Sequence, residues 1–418
     1  MIESIKKRPL RSDEELFEII KSSISEFKGK LKKVLLLPPD LTRMHSGAGK
    51  IAAMLYEFLK GDCVVDIMPA LGTHDAMTKE ECLQMFGPKI PFEKIIDHNW
   101  KTDIVKIGEI PGKYVSEVSD GLLDFKIDVE VNKRIIDESY DLIISIGQVV
   151  PHEVVGMANY TKNVLVGCGG KDIINKSHML GAVYGMEKIM GQDHSPVRKI
   201  FDYAQEKFLH KTPLMYILTV TTSQKDEVRI EGVFTGLSRR IYEEAVALSQ
   251  EKNLTVLPER LKKVVVNLDE REFKSTWLGN KAIYRTRMAI ADEGELIILA
   301  PGVKKFGEDE NIDRLIRKYG YVGREKILDI YKNNSDIQEN LSAAAHLMHG
   351  SSDGRFKITY AVKHLSKEEI EGVNYLYMDL DEAVTKYDPN KLKDGFNTID
   401  NGEEIFFISN PALGLWRV

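Results

Sequence analysis

Short apolar runs alternate with amphipathic stretches along the chain. VLLLPP (34–39) reads as a buried strand, because an unbroken apolar run of this length suits a strand covered on both faces. Its two prolines cannot donate into a ladder and stop it. A helical stretch from Gly49 to Leu59 follows, then a second strand in CVVDIMPALG (63–72). TKEECLQMFG (78–87) predicts a helix that opens at Thr78, carries acids in its first turn and stops at Gly87. DLIISIGQVV (141–150) predicts another buried strand. Strands separated by helices imply a parallel, doubly wound sheet, and such sheets bind ligands at the carboxyl ends of their strands. Asp40 and Arg43 follow the first strand, His74 the second and His152 the third.

A second region opens after LSQEKNLTVLPERLK (248–262), where Pro258 and a cluster of charges mark a hinge. VVVNLD (264–269) starts new apolar strands, and 278–302 reads as a helix, a stop at Gly294 and a strand. DRLIRKYG and REKILDIYKNN supply helices, and FKITYAV (356–362) a further strand. The expectation is an α/β protein of two domains, 1–260 and a smaller 261–418. Both should have mostly parallel sheets flanked by helices, with the active site in the cleft between them. EEIFFIS (403–409) could pair with either domain, so the last ~15 residues are left open.

Composition narrows the function classes. The 418 residues are 43% hydrophobic and 29% charged, with 58 Lys+Arg against 64 Asp+Glu. A net charge of -6 lacks the basic footprint of a nucleic-acid binder. No apolar run approaches the ~20 residues that cross a bilayer, and MIESIKKRPLRSDEE has no apolar secretory segment. Three scattered cysteines, Cys63, Cys82 and Cys168, make neither a disulfide framework nor a CxxC zinc site. A reduced, cytoplasmic enzyme acting on a small molecule, away from membranes and nucleic acids, is expected.

Two glycine-rich stretches invite phosphate-loop readings. SGAGK (46–50) is not a Walker A loop, since Met44 and Ile51 occupy positions that motif reserves for Gly and Ser/Thr. GCGGKD (167–172) fails likewise, yet its backbone N–H groups could meet a phosphate at a helix start; a tight strand-to-helix turn is equally consistent. Of the ten histidines, His45, His98, His194, His210 and His364 lie in polar surroundings and read as surface residues. His74 and His152 stand at separate strand ends, where imidazoles that titrate near neutrality suit proton transfer. His178, on a helix with Ile173, Ile174 and Met179, reads by itself as a packed polar residue, and Lys162 as a solvated one. His346 and His349 are three apart on a helix ending at Gly350, where positive charge is favoured anyway.

Together these residues form a frame that resembles nickel-dependent lactate racemase and its wider family of 2-hydroxy acid racemases and epimerases. The family's Asp-x-Thr-Arg appears as DLTR (40–43), its Gly-Thr-His and helix start as GTHDAMTKEE, and its Pro-His-x-x-x-Gly as PHEVVG with His152 and Gly156. Lys162 stands ten residues beyond that histidine and His178 sixteen further. The likeness runs from about residue 31 to about 360. It implies a nickel–pincer nucleotide held covalently on Lys162, with His178 as nickel ligand. Asp40, Thr42, Arg43, Gly156 and Tyr284 would line the cofactor, and Arg43 and Arg285 would bind substrate. His74 and His152 would be the alternating acid and base. Separate maturation enzymes, implied as partners, build the cofactor, so an ordinary recombinant host yields apoprotein.

The chemistry accounts for those residue types. The C2 hydrogen of a 2-hydroxy carboxylate is scarcely acidic, because the adjacent carboxylate is already anionic. It leaves far more readily as hydride, once a histidine takes the hydroxyl proton. Return of hydride to the other face of the planar 2-keto acid inverts the centre, and each epimer needs its own base. In the second domain the family's Tyr-Gln-x-x-Lys stands as Tyr284-Arg285-Thr286-Arg287-Met288. The missing lysine points away from lactate, toward a larger or more polar hydroxy acid such as a sugar acid. MANYT (157–161) places Asn159 and Tyr160 where the family has small glycines. Competing readings are an isomerase or hydrolase using His74, His152 and His178 on an ordinary metal, and a non-catalytic cofactor carrier.

Overall fold

In the computed structural model, which describes residues 3–224, 227–412 and 414–418, the chain forms two units. The first comprises Met1–Ser177 and Ile189–Asn253, the second His178–Lys188 and Leu254–Val418. The second unit includes a short excursion of chain near residue 180. That excursion is tied by its own contacts: Glu187 accepts from Arg287 (3.0 Å) and Arg355 (2.9 Å), and the Val183 carbonyl accepts from Arg324.

Strands of the first unit are β1 (Ser4–Lys6), β2 (Lys33–Leu37), β3 (Val64–Ile67), β4 (Ile104–Ile110), β5 (Ile127–Asn132), β6 (Leu142–Gln148), β7 (Pro151–His152), β8 (Gly156–Met157), β9 (Leu214–Gln224) and β10 (Glu227–Gly236). Its helices are α1 (Asp13–Ile24), α2 (Ala48–Leu59), α3 (Lys79–Phe86), α4 (Gly112–Val118), α5 (Lys171–Tyr184), α6 (Met186–Ile189), α7 (Pro196–Phe208) and α8 (Arg239–Asn253), of which α5 and α6 extend into the excursion. The main sheet has the order β1-β10-β9-β6-β2-β3. Strand β2 runs parallel to β3 and β6, and β6 parallel to β9, while the β9, β10 and β1 edge is antiparallel. Alternate residues Val34 and Leu36 join Leu16, Ile20 and Ile24 of α1 and Ile51 and Leu55 of α2 in one core. Each fully buried aliphatic side chain there contributes roughly 1.5–3 kcal/mol.

Local chemistry explains the helix ends. Thr78 and Glu81 form a reciprocal capping box, and α3 stops where Gly87 takes φ +72°. In SGAGK, a Cβ on Gly49 would overlap the Met85 carbonyl, so this glycine lets α2 approach the end of α3. Its role is helix packing.

The second unit holds β11 (Leu254–Val256), β12 (Leu261–Asn267), β13 (Ile290–Ala300), β14 (Lys357–Val362), β15 (Leu376–Asp379), β16 (Gly395–Thr398), β17 (Glu404–Ile408) and β18 (Leu415–Arg417). Its sheet order is β15-β14-β13-β12-β17-β16, parallel except for the β16–β17 edge. Because β17 pairs with β12 and β18 with β11, the final strands stay in this unit. Gly294 does not stop a helix. The ladder slips between Leu261↔Ile290 and Lys263↔Glu295, so residues 291–294 form an insertion in β13, with Glu293 at φ +62°. The helical part before it is broken into Thr276–Gly279 and Lys281–Thr286. Among the described residues no helix is long and apolar enough to cross a membrane.

Candidate active site

The chain leaves β2 toward β3 on one side and returns through β6 on the other. The carboxyl ends of β2 and β6 therefore flank a switch point, where loops diverge and leave room for a ligand. The short helical segment Leu41–Ser46 starts here, and hydroxyls of Thr219 and Thr221 on β9 donate to the carbonyls of Ser46 (2.7 Å) and His45 (3.0 Å) to anchor it. Asp40 is buried and both its oxygens are engaged. Oδ1 accepts from the Thr42 hydroxyl and Oδ2 from His74 Nδ1, each at 2.5 Å. Burial pushes the Asp40 carboxyl up, but His74, Thr42 and the Arg43 charge together outweigh it and hold the group below its ordinary range. An ionised Asp40 keeps the His74 proton on Nδ1. The neutral ring then carries its lone pair on Nε2, on a side chain 56% exposed.

His152 has the opposite arrangement. It lies on β7, just past β6, and its Nδ1 accepts the Val154 N–H at 3.1 Å, so the neutral ring bears its proton on Nε2. The Glu153 carboxylate lies 3.8 Å from Nδ1, a counter-charge for the protonated ring. Gly156 closes this small hairpin at φ +89°, and a Cβ there would overlap the carbonyl oxygens of Gln192 and Ile189. Chain atoms thus fill the space that its missing side chain opens.

Lys162 precedes a buried π-helical turn, Asn163–Gly167. Asn163 ties this turn to both central strands, donating to the Leu37 carbonyl (3.0 Å) and the Ser145 hydroxyl (2.9 Å). The residue is half-buried with a desolvated amine. Burial first, then the Arg43 and Arg198 charges, push its pKa down to about 8, against the opposing pull of Glu153 and Asp40. A substantial neutral fraction at physiological pH makes it a competent nucleophile.

The GCGGKD loop is a turn filled by protein. A Cβ on Gly170 would overlap the Glu130 carboxylate, which accepts the Asp172 N–H at 3.1 Å, while the Glu130 carbonyl accepts from Gly170. The protein's own carboxylate occupies the anion position at the start of α5. His98, expected on the surface, is buried and buttresses the same loop: Nε2 meets the Gly169 carbonyl (3.2 Å) and Nδ1 the Asn132 side chain (3.1 Å). Burial lowers its pKa, so it is a neutral strut.

His178, half-buried on α5, belongs to the second unit together with Tyr284 and Arg285. The Tyr284 hydroxyl meets His346 Nδ1 at 3.0 Å, and His346 Nε2 meets the Tyr321 hydroxyl at 2.9 Å. Both His346 and His349 are buried. Arg285 is only 4% exposed. Arg287 is occupied structurally, binding Glu187, Asp353 and the carbonyls of His349 and Ser351. The first unit thus brings Asp40, Thr42, Arg43 and His74 together and puts Lys162 within reach of their charges.

Residue reading missed Glu153 and Arg198. Glu153 lay inside PHEVVG, next to a singled-out histidine. Arg198 falls on the apolar stripe of α7 with Val197, Phe201 and Ala204, and an arginine on such a stripe is a legible sign of a buried role.

Residues 13–190 match the lactate racemase N-terminal domain family. No curated protein matches the chain. A solved structure of a protein from Thermotoga maritima is similar over 99% of both chains, with 24% identity and a TM-score of 0.83. The lactate racemase apoprotein from Thermoanaerobacterium thermosaccharolyticum is similar over 100% of this chain and 94% of its own, with 18% identity and a TM-score of 0.73. At these identities the two structures establish a shared fold.

Proposed function

We propose, from the match of residues 13–190 to the lactate racemase N-terminal domain family, that this chain is an isomerase that inverts C2 of a 2-hydroxy carboxylate, using a nickel–pincer nucleotide attached to Lys162. One observation carries the reading: a lysine amine with depressed pKa and two imidazoles in opposite proton forms, set around the carboxyl edge of one sheet. The residues suit such a group. Lys162 would hold it through its amine, and the imidazole of His178 would be offered to nickel. When bound, that group supplies the acceptor for the C2 hydrogen as hydride.

The chain's own residues handle the proton and the carboxylate. His74 Nε2 takes the hydroxyl proton of one epimer, and Asp40 stabilises the resulting imidazolium. His152, with Glu153 beside it, serves the other epimer. Arg43 holds the substrate carboxylate. Tyr284 is assigned to the cofactor and Arg285 to a polar part of the substrate. With Met288 where the lactate racemase pattern has a lysine, a larger or more polar acid than lactate is the proposed substrate.

The test is a screen of C2-deuterated 2-hydroxy acids on protein co-produced with maturation enzymes. Inversion with deuterium retained at C2, a nucleotide adduct on Lys162 by intact mass, and about one nickel per chain are expected. Deuterium lost to water during inversion, or stoichiometric zinc without an adduct, would overturn the proposal.

A further inference from the structure

The five residues before Lys162 are held in an unusual way. Asn159 (φ +64°) and Tyr160 (φ +55°) are consecutive left-handed residues, and neither is glycine. Each such residue costs about 1–2 kcal/mol, so surrounding contacts must hold the turn. Arg198, fully buried on α7, lies beneath it. Its Nη2 donates to the carbonyls of Met157 (2.7 Å) and Asn159 (3.1 Å) and to the Tyr242 hydroxyl (2.7 Å), and its Nη1 to the Thr161 hydroxyl (2.5 Å). The Tyr242 hydroxyl donates in turn to Met157, and Thr161 to Asp202. The Tyr160 ring stacks on Tyr242 at 4.9 Å and leans on Tyr216 at 4.4 Å. The Asn159 carboxamide accepts the Tyr160 N–H and occupies space that a side chain at Gly147 would take.

A fork that grips residues 157, 159 and 161 fixes where residue 162 begins. We propose that Arg198 is a positioning residue, which locks the Met157–Thr161 turn so that the Lys162 amine is presented for acylation. Two glycines in place of Asn159 and Tyr160 would allow many conformations; a turn whose Met157 and Asn159 carbonyls and Thr161 hydroxyl are held by one guanidinium is restricted to one. The Arg198 charge also disfavours the lysine ammonium, a second effect of the same group. This inference rests on the reading of Lys162 as the attachment point, but its test does not need the attached group.

Cofactor-free protein is treated with a low dose of acetic anhydride from pH 6 to 10, and Lys162 acetylation is measured by mass spectrometry against exposed Lys89. Arg198→Lys keeps the charge and loses the fork: the Lys162 rate should fall at least about fivefold with its pH midpoint unchanged. Arg198→Met should in addition move the midpoint upward. Tyr242→Phe, which keeps the ring and removes one partner of the fork, should lower the rate while melting near the parent, and it carries the test if the Arg198 variants do not fold. Lys162 acetylation at the parental relative rate in folded Arg198→Lys or in Tyr242→Phe would overturn the inference. Co-production with maturation enzymes separates it from the functional reading. Undiminished nucleotide on Lys162 in Arg198→Lys defeats only the positioning role, whereas a clamp-dependent Lys162 that never takes a nucleotide defeats only the proposed function.

Discussion

At the scale of the residue, Asp40 is the pivot of the site. Its buried carboxylate meets both a motif hydroxyl and a proposed base, and it decides which nitrogen of His74 carries the lone pair. His74→Ala and His152→Ala should each lower turnover by ~10²–10⁴-fold in both directions, since inversion uses both faces. Asp40→Asn should lower kcat, because the amide no longer holds the His74 proton on Nδ1, read in steady-state turnover at saturating substrate. Full activity in either alanine variant would refute the two-base assignment. Lys162 offers a separate thermodynamic check. Its folded pKa, about 8 against an ordinary 10.5, means that below pH 8 the fold bears the whole cost of a desolvated ammonium. Between pH 8 and 10.5 the unfolded chain binds more protons, so stability rises with pH and the cost disappears. Lys162→Met should therefore raise Tm by a few degrees at pH 7, with the gain vanishing toward pH 10.5. An equal gain at both ends would show that packing, not charge, is responsible. Asp40 has the opposite sign: its depressed carboxyl contributes stability above the ordinary carboxylate range, lost as pH falls through its folded pKa.

At the scale of the element, small hairpins and turns hold the residues of the proposed site and glycines set their shape. Gly156→Ala adds both left-handed strain and overlap with two carbonyls, so it should cost at least about 2 kcal/mol. Gly121, at φ +77° with open space around it, is the control: Gly121→Ala should cost only the strain, about 1 kcal/mol. Equal losses in thermal melts would mean that Gly156 is not closely packed. Thr78→Ala, which removes the capping box of α3, should cost about 1 kcal/mol without touching the site. The α3 start was legible because a capping box is local, four residues long and written in residue type. The identity of GCGGKD was not, because the group that fills it, Glu130, is 42 positions away from Asp172.

At the scale of the whole molecule, each unit has its own sheet, and protection should follow burial within it. Every residue of β6 is buried, whereas β4 is buried only at its last residue, Ile110. Hydrogen exchange should find the amides of β6 among the slowest of the first unit and those of β4 opening at much lower free energy. Comparable rates in the two strands would contradict this order. The sequence by itself determined the alternation of strands and helices, the parallel class of the sheets, the placement of Asp40, His74 and His152 at strand ends, and the Lys162 and His178 spacing, because periodicity, capping and motif intervals are local quantities. Only the tertiary structure decided the proton positions on the two histidines, the depressed pKa of Lys162, the burial of His98, the clamp of Arg198, the bulge at Gly294 and the membership of residues 178–188 in the second unit. Each of these depends on partners brought together from distant positions. Desolvation and hydrogen-bond geometry arise only when those partners meet.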